Sequence, residues 1–175
     1  MRLLRHSLLF VFLAAWLAGA IAAEADAFFD PSLGDFSEEL KAVRQAGKQG
    51  VLLMFEMEGC PYCKRMRRQV LSRDDVQAYF RKHFAIFSVD VLGSQPVTDF
   101  RGAPMTEKAF ARSLKVGGTP TFIVFGPDGR ELVRLSGATQ DAEEFMQFGR
   151  YIVDGHYRAQ SPRQFYPAAK SWKKP

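Results

Sequence analysis

A continuous apolar run, Val51, Leu52, Leu53, Met54 and Phe55, followed a few residues later by Cys60, Pro61, Tyr62 and Cys63, constrains this chain more than any other feature. Five apolar residues without alternation suit a strand buried on both faces of a sheet. Proline one position after Cys60 suits the first turn of a helix, where its missing N–H costs nothing, and Lys64, Arg65, Met66, Arg67 and Arg68 continue that helix. The pattern therefore sets Cys60 at the N-terminus of a helix that follows a buried strand. Unsatisfied amides and nearby cations at such a position favour thiolate over thiol. Disulfide exchange needs an attacking thiolate and a second thiol within reach of the mixed disulfide, and Cys60 and Cys63 fit those two roles in that order.

Other uses of the pair find little support in the rest of the chain, which contains no further cysteine. A purely structural bridge over two intervening residues closes a tiny loop and gains little entropically. A zinc site needs more ligands, and beyond the first residues only His83 and His156 are available. Haem attachment needs histidine after the second cysteine, where Lys64 stands. No metal and no cofactor are expected. Met54, Met57, Met66 and Met105 keep open a thiol metallochaperone or a non-enzymatic binding module, although methionines at such spacings usually fill a core or its rim.

The compartment is read from the other end of the chain. Met1, Arg2, Leu3, Leu4 and Arg5 precede an apolar run of about 16 residues that closes on small residues, with Ala20, Ile21, Ala22 as a cleavage-type site and Ala25, Asp26, Ala27 as a second. This is the layout of a secretory signal peptide, taken as residues 1–23 and expected to be removed. The run falls just short of the roughly 17 to 25 residues that span a bilayer. What remains, about 152 residues, holds one domain. The net charge of +5 becomes +3 without Arg2 and Arg5, too modest to argue for nucleic acid. Export into a periplasm or an equivalent oxidising space makes redox chemistry the default for the cysteines.

Periodicity orders the remaining elements. Phe36, Leu40, Val43 and Ala46 recur at helical spacing, with Ser37 as N-cap and Gly47 and Gly50 as stops. Residues 74–83 read as a helix and 85–91 as a strand, while 93–105 lacks a period and reads as a long loop. A short helix follows from Thr106, then strands over 121–125 and 131–135 joined through Pro127, Asp128 and Gly129, and a last helix over 141–153. Residues 156–175 form a basic, aromatic tail without a period, expected on the surface or partly disordered.

Gly118, Thr119 and Pro120, directly before the 121–125 strand, complete a second pattern. Together with the strand, the Cys-x-x-Cys pair and its helix, they resemble the thioredoxin superfamily. The likeness covers about residues 36–153 and implies a single α/β domain over 28–155, a mixed central sheet flanked by helices. It further implies that Pro120 is cis, and that Thr119 offers its backbone to an extended substrate segment bordered by Pro61, Tyr62 and Pro120. Residues 55–65 and 118–125 are similar to the periplasmic SoxW-type thioredoxins. That resemblance implies a thiol-disulfide oxidoreductase that reduces disulfides of exported proteins, draws electrons from a membrane thiol donor and acts as a monomer. A disulfide-introducing oxidant is the alternative. The Pro-Tyr dipeptide also occurs in glutaredoxins, but the leader argues against a cytosolic role. Where thioredoxin has a buried aspartate six positions before its first active-site cysteine, this chain has Met54, so Glu56 becomes the candidate proton relay, with Glu58 nearby.

Overall fold

The computed structural model describes residues 27–169 and 172–173, so the leader lies outside the described residues. The elements are α1 (Phe36–Gln45), β1 (Gly50–Glu56), α2 (Pro61–Met66) running into a π-helical turn (Arg67–Leu71), α3 (Asp74–His83) and β2 (Phe84–Asp90). There follow β3 (Pro96–Thr98), β4 (Pro104–Thr106), α4 (Glu107–Ser113), β5 (Thr121–Phe125), β6 (Glu131–Ser136) and α5 (Ala142–Val153), then a 3-10 turn (His156–Arg158), α6 (Pro162–Phe165) and β7 (Trp172–Lys173).

Five strands form one sheet in the order β2-β1-β5-β6-β7. β1 and β2 are parallel, whereas β5, β6 and β7 each pair antiparallel. The sheet is therefore mixed, with helices on both faces, and the chain forms one α/β domain. Its strands sort their side chains by the two-residue period. Leu52, Met54, Phe122 and Val124 pack with α3 and α5 and with both cysteines, while Val51, Leu53, Phe55, Ile123 and Phe125 pack with α1 and α4. That explains why β1 reads as an unbroken apolar run. Phe145 joins the first layer to Phe80 at a centroid distance of 4.5 Å, and burying a phenylalanine contributes about 1.5–3 kcal/mol.

Two glycines are required by close approach. A Cβ on Gly50 would stand 2.0 Å from the Phe125 carbonyl oxygen, and one on Gly149 would stand 2.8 Å from the rings of Phe80 and Tyr79. The first lets β1 begin beside β5, and the second lets α5 close on α3.

Three details differ from the sequence reading. The cap of α1 is Asp35, not Ser37, because its carboxylate accepts from the amides of Ser37 and Glu38 at 3.0 and 3.1 Å and from the Ser37 hydroxyl at 2.7 Å. The stop at Gly47 is as read from the sequence: the helix ends at Gln45 and Gly47 turns left-handed at φ 64°. Within 93–105 the chain forms the β3–β4 hairpin, whose three-residue strands each begin with proline and so carry no strand signature. Val97 is buried against α1, and Thr98 bridges to Asp35. Finally, the tail returns to the sheet. Trp172 pairs with Leu135, is 4% exposed, and stacks on Tyr166 at 5.5 Å.

Candidate active site

The turn from β1 into α2 sets the cysteines. The amide of Cys60 donates to the Met57 carbonyl at 3.3 Å across a tight turn whose third residue, Gly59, has φ 79°, a conformation glycine adopts without penalty. Cys60 then has extended backbone and acts as the N-cap of α2, with Pro61 in the first turn. Its Sγ accepts from the amide of Cys63 at 3.1 Å, which aims a helix-terminal donor at the sulfur. The two residues form a disulfide with Cα atoms 5.3 Å apart. Burial does not distinguish them, since Cys60 is 3% and Cys63 2% exposed. The aimed amide does distinguish them, and it marks Cys60 as the sulfur on which negative charge is stabilised.

The second half of the site comes from the loop before β5. The Thr119–Pro120 peptide is cis, and the Thr119 carbonyl oxygen lies 3.6 Å from Cys60 Sγ. Pro120 is buried, Thr119 half-buried, and Pro61 and Tyr62 are exposed beside the disulfide. The structure thus gathers Cys60, Cys63, Pro61, Tyr62, Thr119 and Pro120 at the carboxyl end of β1. Arg65 fixes α2 to the loop before α5, donating to the carbonyls of Thr139 and Gln140 at 2.8 and 3.2 Å.

Glu56 continues the β1 face that carries Leu52 and Met54, so it points to the cysteine side of the sheet. Its carboxylate accepts from Arg67 at 2.5 and 3.0 Å and from the Ser88 hydroxyl. The Arg67 guanidinium also lies over the Phe29 ring, 4.4 Å from its centroid. Glu56, Cys60, Cys63, Arg67, Asp90 and Glu107 border a cavity of about 380 Å³. The sequence offered no local signal for Arg67, Ser88, Asp90 or Glu107. Ser88 arrives through the parallel register that sets it beside Met54, and Glu107 through α4. Met54 and Met66 have no exposed surface and belong to the core. Among the described residues, no group of three or more histidine, cysteine, aspartate or glutamate side chains could hold a metal ion.

Residues 36–152 match the family model of the thioredoxin-like domain. The chain belongs to that family. No curated protein matches it. Among solved structures it is similar to a thioredoxin-fold protein from Helicobacter pylori, at 21% identity and a TM-score of 0.62 over 80% of this chain and 85% of that one. It is also similar to a thioredoxin from Thermus thermophilus, at 27% identity and 0.55 over 71% and 92%. A DsbH oxidoreductase aligns at 17% identity and 0.55 over 75% and 86%. Set in this thioredoxin-like fold, Cys60 and Cys63 constitute a redox centre of the thiol–disulfide type. The buried aspartate of thioredoxin has no counterpart at Met54, and Glu56 is one of four carboxylates, with Glu58, Asp90 and Glu107, that line the cavity beside Cys63.

Proposed function

We propose that this protein is a periplasmic thiol–disulfide oxidoreductase of the SoxW type that reduces disulfides in exported partner proteins. The observation that carries this reading is the Cys63 amide aimed at Cys60 Sγ beside the Thr119 backbone. In the reduced form, the Cys60 thiolate attacks one sulfur of the partner's disulfide, a mixed disulfide forms, and the partner's other sulfur leaves as thiolate and takes up a proton. Cys63, deprotonated, then attacks Cys60 Sγ, the partner's second sulfur leaves, and the Cys60–Cys63 disulfide remains. Two electrons have passed to the partner, and a membrane thiol donor returns them.

Pro61, Tyr62, Thr119 and Pro120 are the surface on which the partner's segment rests, with the Thr119 backbone pairing to it as an added strand. Glu56 accepts the Cys63 proton through the cavity, and Arg67 and Ser88 hold its carboxylate in place. The signal-type layout of residues 1–23 supports the compartment, and the resemblance of residues 55–65 to SoxW-type thioredoxins supports the direction. Insulin reduction with dithiothreitol as electron source tests the activity. Accelerated precipitation of the insulin B chain is the expected result, and an uncatalysed rate overturns the reading.

A further inference from the structure

A second groove, of about 470 Å³, is lined by Thr119, Arg134, Gly137, Lys115 and Lys173. It opens beside the reacting sulfur, since Thr119 itself lies 3.6 Å from Cys60 Sγ. Arg134 directs its guanidinium to Glu131 at 2.5 Å and to the Leu114 carbonyl at 3.1 Å, so its charge is compensated and it holds the end of α4 against β6. Lys115 and Lys173 are both exposed, and neither has an ion-pair partner within 4 Å among the described residues. The groove therefore carries two uncompensated positive charges, those of Lys115 and Lys173.

The backbone at Lys115 adds an independent observation. Three helices end on a left-handed residue one position past the C-cap, and two of them, α1 and α5, use glycine there: Gly47 at φ 64° and Gly155 at φ 75°. The third, α4, uses Lys115 at φ 55°, the one non-glycine in this region among the described residues. Its amide donates to Arg112 and that of Val116 to Ala111, the paired bonds of a helix terminus where glycine is the unstrained choice. A lysine held there against local preference points to a use for its side chain.

We propose that this groove receives an acidic stretch of the partner polypeptide adjoining its reactive cysteine, with Lys115 and Lys173 as specificity determinants. The inference rests on the exchange function proposed above and names its preferred substrate class. Rates of exchange, as kcat/KM at low ionic strength, are to be measured for disulfide-linked peptides carrying two glutamates, two glutamines or two lysines beside the cysteine, with hydroxyethyl disulfide as an uncharged reference. The wild type is expected to favour the glutamate peptide over the glutamine peptide by about three- to tenfold, the yield of two exposed ion pairs, and to disfavour the lysine peptide. Added salt is expected to shrink the preference. In Lys115→Gly combined with Lys173→Gln, the glutamate-to-glutamine ratio falls to about one. Lys115→Gly should melt no lower than the wild type, because glycine takes this conformation freely, and alone it should remove part of the preference. A wild-type ratio near one, or a ratio the double variant leaves unchanged, overturns the inference while exchange with hydroxyethyl disulfide keeps the function standing. Absence of exchange with every disulfide, the uncharged one included, overturns both.

Discussion

The backbone amide of Cys63 donates to Cys60 Sγ at 3.1 Å, so each cysteine has a part in the other's chemistry before any partner arrives. In the proposed exchange, Cys60 supplies the nucleophilic sulfur, and Cys63 supplies both the donor that stabilises it and the thiol that ends the reaction. Cys60→Ser is expected to abolish exchange. Cys63→Ser is expected to accumulate partners as mixed disulfides, because the resolving thiol alone is missing. Non-reducing electrophoresis of the two variants incubated with oxidised insulin separates the roles, and equal turnover in both would contradict them.

Glu56 reaches the cavity beside Cys63 already bound to Arg67 and Ser88. With Glu56→Gln, resolution of the mixed disulfide should slow about a hundredfold near pH 7, the lower end of what a positioned proton acceptor contributes. The deficit should narrow above about pH 9, where a thiol deprotonates without help. Stopped-flow measurement of the resolving step across pH checks this. A deficit that is constant with pH would assign Glu56 a structural role through Arg67.

What the sequence made legible was what local physics decides. The buried run at β1, the helix opening at Cys60 and the Gly118–Pro120 loop each follow from residue types at fixed spacing. Met54 showed a carboxylate missing, but only the register of β1 on β2 shows Ser88 beside it, and only the packing of the turn after α2 shows Arg67 closing on Glu56. Asp35 was overlooked as a cap because Ser37 competes for that role two residues on, and the distances favour Asp35. The β3–β4 hairpin and β7 are three and two residues long, so their existence depends on partners far away in the chain rather than on any run of their own.

The hairpin divides into two parts by burial. Val97 lies in the core beneath α1 and Phe100 packs on Phe125 at a centroid distance of 4.5 Å, whereas residues 101–103 form an exposed tip. Val97→Ala should cost about 2 kcal/mol of stability. Replacing the tip with a short glycine-containing turn should cost less than about 0.5 kcal/mol, as for surface changes that touch no cap or core. Urea denaturation of both variants, alongside insulin reduction, checks the division.

The tail is held by Trp172, which packs on Phe148, Tyr151 and Tyr166. Trp172→Ala should lower stability by about 3 kcal/mol, comparable to truncating any large core aromatic. It should also loosen the groove wall that carries Lys173. A change below about 0.5 kcal/mol in denaturant unfolding would show the tail to be a surface appendage after all.

The central claim, that Cys60 and Cys63 are a working redox couple on the reducing side of their compartment, is tested most directly by equilibrating the purified protein in glutathione buffers and counting trapped thiols. The helix amide favours the Cys60 thiolate, while Glu58 and the carboxylates around the cavity oppose further negative charge. The two thiols should therefore appear together at a potential of about −270 to −200 mV, the thioredoxin and glutaredoxin range. A potential below about −300 mV would mark an inert structural disulfide, and one above about −150 mV, toward the strong oxidants, would reverse the direction proposed here.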